Sequence, residues 1–169
     1  MTRIRLATAL LLALLPPPCA AAEETPVAAL RALGTGGAEM RARVEDGPAG
    51  YRLVIHCESG CSGPVEHEEV PGDIPLGLFQ LWDGDGLLLS IWATASAYIV
   101  RAHLLTPGGV RPVLQAASRT APALALDRRG RMTVTTTERT GGWRDPLRAV
   151  AWRWDGAHFR SGQRVGGGD

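Results

Sequence analysis

The chain has 169 residues, of which 45% are hydrophobic, and its formal net charge at neutral pH is +1. This length supports one domain with a substantial core and is too short for two domains of ordinary size. The 18 basic residues, all arginine, are balanced by 17 acidic residues. The basic excess typical of nucleic-acid-binding proteins is therefore missing, and no nucleic-acid partner is expected.

The first 22 residues have the organisation of a secretory signal peptide. Two arginines are followed by the run 6–15, which is apolar apart from Thr8, then by three prolines and three alanines. The run is too short to span a bilayer, and no later run approaches the roughly 18 apolar residues of a membrane helix. We therefore expect cleavage before Glu23 and a periplasmic or secreted protein. The alternative is a lipoprotein acylated at Cys19, although Pro18 before it is unfavourable for that processing.

A short helix and a flexible linker are predicted for residues 23–37. Thr25 can cap a helix that has proline at its first position, and the segment from Val27 to Leu33 supplies one or two turns. Gly34 ends the helix, and the glycines that follow it predict a flexible connection.

From residue 38 onward, apolar and charged residues alternate with a period of two. Met40, Ala42 and Val44 alternate with charged residues, which is the pattern of a half-buried strand. A single β-rich domain is therefore predicted over residues 38–160.

Short apolar segments alternate with turn sequences over the rest of this domain. The Asp-Gly pairs at 83–86 and 155–156 are the clearest hairpin signals. About ten short strands at this spacing predict an all-β fold, an antiparallel meander of hairpins that forms a sandwich, a barrel or a propeller-like sheet. Residues 58–75 are expected to form a polar loop, and residues 161–169 a disordered tail.

Charge is distributed unevenly along the chain. Residues 23–100 contain twelve acidic residues and four arginines, whereas residues 101–169 contain twelve arginines and five acidic residues. The simpler interpretation is that the two halves pair with each other inside one fold. The alternative is an acidic face and a basic face, one of which docks a charged partner.

Cys57 and Cys61 are the two cysteines of the exported chain, and an even number in an oxidising compartment favours a disulfide. The Ser-Gly pair between them can turn the chain enough to bring them together. The alternative is a zinc site formed by His56, Cys57, Cys61 and His67. Because an oxidised cysteine is a poor metal ligand, the disulfide is favoured and no cofactor is expected.

Trp82 and Trp154 are candidate ligand contacts because each directly precedes an Asp-Gly turn. A tryptophan at the end of a strand can stay half-exposed and offer a flat surface to a sugar ring or to a partner protein. Trp152 shares a strand face with Trp154 and is expected to lie in the core. His103 lies in the middle of a predicted strand and is expected at its surface.

These features favour an exported, non-catalytic β-domain that acts as a binding or interaction module in the cell envelope. Its partner would be an envelope protein or a glycan, and no catalytic residue is assigned. One alternative is a small periplasmic inhibitor of a lysozyme or protease, which would present the acidic segment from Glu66 to Asp73 as a rigid, protruding loop. A second alternative is a metal-assisted hydrolase that uses His56 and His67.

Overall fold

The structure, a computed structural model, describes residues 27–70, 73–81, 85–139, 141 and 144–163. In these residues the chain forms three four-stranded antiparallel sheets, each of which is a meander of consecutive strands. The first sheet consists of β1 (Ala28–Leu33), β2 (Glu39–Glu45), β3 (Arg52–Ser59) and β4 (Glu66–Glu69); the second of β5 (Ile74–Phe79), β6 (Leu87–Ala93), β7 (Tyr98–Thr106) and β8 (Gly109–Ser118); and the third of β9 (Ala123–Leu126), β10 (Met132–Arg139), β11 (Leu147–Trp154) and β12 (Phe159–Gln163).

The second sheet lies between the other two, and β6 shows this most clearly. Leu87, Leu89 and Ile91 belong to a core shared with the third sheet, whereas Leu88 and Trp92 belong to a core shared with the first sheet. Because both faces of β6 are covered, six of its seven residues are buried and its sequence is almost continuously apolar.

The two outer sheets are covered on one face only, and their strands keep the period of two. In β2 the apolar side chains point to the second sheet and the arginines between them point outward. In β10 Met132 and Val134 point inward, and Thr133 and Thr135 lie on the opposite face. The prediction of an all-β fold with antiparallel hairpins is therefore confirmed, with the sheets stacked as three layers.

Two local predictions are wrong. Ala28–Leu33 form strand β1, not a helix, because pairing with β2 buries Ala32 and half-buries Ala28 and Leu30; the sheet thus begins inside the predicted linker. Glu66–Glu69 form strand β4, paired with β3, within the predicted polar loop. The protruding acidic loop of the inhibitor hypothesis is therefore not formed at these residues.

Other predictions concern residues outside the described ranges. They are the signal peptide, the helix cap at Thr25, the turn residues Asp83 and Gly84, and the tail from residue 164 onward. At the near end of that tail, β12 extends to Gln163, three residues beyond the predicted domain boundary. No helix in the described part of the chain is long and apolar enough to cross a membrane.

The acidic and basic parts of the chain lie in different layers. The described residues of the first sheet and its loops, 27–70, contain seven acidic residues and four arginines, whereas residues 119–163 of the third sheet contain nine arginines and four acidic residues. Ion pairs form within each of these layers: Arg31 and Arg41 with Glu58, Arg131 with Asp127, and Arg160 with Asp155. These four contacts stay within one layer, whereas Arg101 of β7 pairs with Glu69 of β4 and joins the acidic half of the chain to the basic half.

Gly86, in the turn before β6, is packed too closely for any side chain. Its φ is +66°, and an added Cβ would lie 2.8 Å from the backbone nitrogen of Thr35 and 2.9 Å from the carbonyl oxygen of Leu105. We expect Gly86→Ala to lower the free energy of unfolding by about 1–2 kcal/mol for the left-handed backbone and by about 1–3 kcal/mol more for the displaced neighbours. Urea unfolding of the mature chain measures this loss.

Gly37 provides the matched control for that variant. Its φ is +79°, but an added Cβ would meet nothing within 4 Å. Gly37→Ala should therefore lose only the unfolding free energy, about 1–2 kcal/mol, that a side chain costs in the left-handed backbone. Equal losses in the two variants would contradict the close contact between the turn before β6 and the first sheet.

Candidate functional site

The Cys57–Cys61 disulfide is formed, with the two Cα atoms 6.4 Å apart. It closes the loop after β3, and the next residue, Ser62, donates its backbone N–H to the carbonyl oxygen of Pro107 at 2.9 Å. The loop is thereby attached to the β7–β8 turn of the second sheet. Because both sulfurs are in the disulfide, neither cysteine supplies a thiolate for the predicted zinc site.

His56 and His67 do not come together. In the β3–β4 register His67 lies opposite Ile55, a core residue that faces the second sheet, whereas His56 lies opposite Glu66. Successive side chains of a strand point to opposite faces, so the two histidines are on opposite sides of the first sheet. The metal-assisted hydrolase that would use both therefore has no common site.

His67 instead belongs to a polar cluster between the first and second sheets. His67 and Glu69 project from β4, and Arg101 and His103 project from β7. Glu69 Oε2 lies 2.9 Å from His103 Nε2 and 3.7 Å from His67 Nε2, while its other oxygen accepts a hydrogen bond from the Arg101 guanidinium. The rings of the two histidines are tilted, with centroids 5.2 Å apart.

Burial sets the charge state of this cluster. The side chain of His103 is 1% exposed, contrary to the surface position expected from the sequence. Desolvation, helped by the positive charge of Arg101, lowers the pKa of His103 to about 4. Desolvation and His103 also lower the pKa of His67. Both imidazoles are therefore neutral at pH 7, and Glu69 and Arg101 form the ion pair of the cluster.

A larger cleft opens between the second and third sheets. Its volume is about 820 Å³, and it lies along β8 and β10 beside the start of β7. Trp152 contributes an indole to the wall, and its Nε1 donates a hydrogen bond to Thr136 Oγ1 at 2.9 Å. The polar residues that line the cleft are Ser96, Gln115, Ser118, Arg119, Thr137, Glu138 and Arg139.

Two arginines of this cleft are held by carbonyl oxygens. Arg119 donates to the carbonyl of Ser96 at 3.2 Å, and Arg139 donates to that of Asp145. An arginine side chain has five N–H donors, and in the described part of the chain neither guanidinium forms an ion pair with a carboxylate. Each therefore keeps a positive charge and spare donors beside the cleft.

The predicted tryptophan contacts are placed differently from the expectation. Trp154 is 3% exposed and packs against Phe159 in the core shared with the second sheet, and Trp82 lies outside the described residues. Among the tryptophans that the structure describes, Trp152 alone is half-buried. It lies two residues from Trp154 on the same face of β11, and no local sequence signal distinguishes the burial of the two indoles.

Comparison of the chain with protein-family models, with curated proteins and with solved structures gives no match.

The Cys57–Cys61 disulfide closes a ring of five residues, which the loop-entropy relation converts to about 2 kcal/mol. We expect a Cys57→Ser/Cys61→Ser variant to lose about that amount of unfolding free energy and to keep its far-UV circular dichroism, because neither cysteine is among the buried residues of the two core clusters and Cys61 only packs against one of them. Urea unfolding of the oxidised wild type is the reference. A variant that fails to fold would show that the ring is essential for attaching the first sheet to the second.

Proposed function

We propose that this protein is an exported, non-catalytic binding module of the cell envelope, and that the cleft between the second and third sheets receives an acidic saccharide. The observation that carries the proposal is the half-buried Trp152 at the wall of that cleft, whose lining also includes Arg119 and Arg139. Export rests on the signal-peptide pattern of residues 1–22.

The aromatic ring supports a sugar as the ligand. The apolar C–H face of a pyranose packs on an indole, and the hydrogen bond to Thr136 fixes the orientation of that indole. Surrounding amide, hydroxyl and guanidinium groups can bond the sugar hydroxyls. Ligand sites commonly have volumes of about 300–1,000 Å³, and a cleft of about 820 Å³ is large enough for a few sugar rings.

The charge of the third sheet supports an acidic ligand. Nine arginines and four acidic residues occupy residues 119–163, and the lining of the cleft includes two arginines and one glutamate. A positive field at the mouth of a cleft attracts anions and strengthens their hydrogen bonds to arginine. Envelope saccharides supply such anions as the free carboxylates of muropeptides or as the phosphates of lipopolysaccharide.

The test is calorimetric titration of the mature chain with three probes: soluble muropeptides, lipopolysaccharide core oligosaccharide, and a neutral chito-oligosaccharide. We expect saturable binding of one acidic probe, at least tenfold tighter than that of the neutral probe. Trp152→Ala should weaken binding at least tenfold, about 1.4 kcal/mol, whereas Trp152→Phe should keep most of it. Equal affinity for all three probes, or binding unchanged in Trp152→Ala, would reject the cleft as the site.

A matched pair of charge variants separates recognition in the cleft from general attraction to a basic sheet. Arg119→Gln/Arg139→Gln removes two charges from the cleft, and Arg128→Gln/Arg129→Gln removes two charges from the β9–β10 turn of the same sheet. We expect the first variant to weaken binding at least tenfold and the second to change it less than threefold. Similar losses in both would show that net charge alone attracts the ligand.

Export makes a separate prediction for the native chain. Protein recovered from its own compartment should begin at Glu23 and should be two hydrogens lighter than the reduced sequence because of the disulfide. Intact-protein mass spectrometry with and without thiol alkylation measures both features. A chain that begins with an acylated Cys19 would instead be a membrane-tethered lipoprotein, and an uncleaved chain in the cytoplasm would reject export.

A further inference from the structure

A metal-binding donor set lies in the polar cluster between the first and second sheets. Two imidazole nitrogens, from His67 and His103, and one carboxylate oxygen, from Glu69, lie within 4.8 Å of one another. This set is separate from the cleft proposed for the saccharide and does not depend on that proposal.

The spacing of these atoms is close to that of zinc ligands. Donors bonded to tetrahedral zinc at about 2 Å lie about 3.3 Å from one another. The distances from Glu69 Oε2 to the two Nε2 atoms, 2.9 Å and 3.7 Å, fall on either side of that value. Shifts of a few tenths of an ångström would therefore bring Glu69 Oε2 to the ligand spacing from each imidazole, and the whole set already lies within 4.8 Å.

The present contacts leave one nitrogen of this set unused. His67 Nε2 is buried and has no hydrogen-bond partner, since its distance of 3.7 Å from Glu69 Oε2 is too long for a hydrogen bond. A buried polar atom without a partner is costly. A cation bound between His67 and Glu69 would give this nitrogen a ligand bond.

The surrounding structure positions the donors and leaves an entrance. Arg101 holds the second oxygen of Glu69, which orients the first oxygen toward the histidines. A bulge in β8 at Val113, next to Pro112, shifts the register beside His103. A pocket of about 230 Å³, lined by Glu69, Arg101, His103 and residues 112–115, connects the cluster to solvent.

We propose that His67, Glu69 and His103 bind one zinc ion, with a fourth position open to the pocket beside β8. Two imidazoles and a carboxylate suit zinc better than magnesium or calcium, which prefer sets composed of oxygen. Within the cluster, Arg101 is the positioning residue for the carboxylate of Glu69.

The experiment is zinc titration of the untagged mature chain after removal of metal, with a chromogenic chelator as competitor. We expect one zinc per chain, a rise in Tm with zinc concentration, and visible d–d absorption of a low-symmetry site when Co²⁺ replaces zinc. His67→Ala should weaken zinc binding at least tenfold and should abolish the rise in Tm. This variant carries the test because His67 lies on the edge strand β4 and is only partly buried.

His56→Ala is the matched control because His56 lies on the outer face of the same sheet, opposite Glu66. Its zinc affinity should equal that of the wild type, and Glu69→Gln should behave like His67→Ala. Absence of stoichiometric zinc in the wild type would overturn the proposal. So would zinc that His67→Ala retains, or zinc that His56→Ala loses, since either places the ion elsewhere.

Discussion

The second sheet is covered on both faces. Each side chain in the middle of β6 and β7 therefore has to pack into one of two cores, which the second sheet shares with the third sheet and with the first. The run Leu87–Ala93 meets this requirement with apolar side chains, and its one polar side chain, Ser90, accepts a hydrogen bond from the Trp92 indole at 2.8 Å. The outer sheets can tolerate charge on their exposed faces, whereas the second sheet cannot. Its polar side chains therefore need partners inside the protein, either in the same sheet or in a neighbouring layer.

β7 departs from this requirement at two positions. Arg101 and His103 lie opposite Ser90 and Leu88 in the register, on the face that the first sheet covers. Glu69 of β4 supplies the compensating carboxylate. Desolvation makes such a cluster a weak source of stability, and apolar residues of similar volume often replace buried ion pairs without loss. Stability alone therefore does not account for four polar side chains between these layers, whereas the proposed zinc site would give three of them a common role.

The sequence predicted the parts of the fold that local patterns determine. Period-two alternation and turn glycines located β2 and the hairpins of the second and third sheets. β1 was missed because alanine, leucine and arginine are strong helix formers, and pairing with β2 outweighs that propensity. β4 was missed because Glu66–Glu69 contains no apolar residue, since its inward positions hold His67 and Glu69.

The candidate sites depend on contacts between layers, which no short segment encodes. The disulfide was predictable because the two cysteines are four residues apart and the signal-peptide pattern predicts an oxidising compartment. His103 was placed at the surface because β7 alternates like a strand covered on one face. The neighbouring strand β6 is almost continuously apolar, which indicates that both faces of this sheet are covered. Because β7 pairs with β6, the face of β7 that carries Arg101 and His103 is then covered as well.

The edge strand β8 connects the two candidate sites. It is the last strand of the second sheet, and Gln115 lines both the cleft beside Trp152 and the pocket beside His103. Leu114 and Ala116 pack in the core shared with the third sheet. The bulge at Val113 shifts the register of β8 next to the polar cluster. An edge strand has a neighbour on one side only, so both cavities open where the layers stop covering it. The stack of sheets thus produces two separate recessed sites without any long loop.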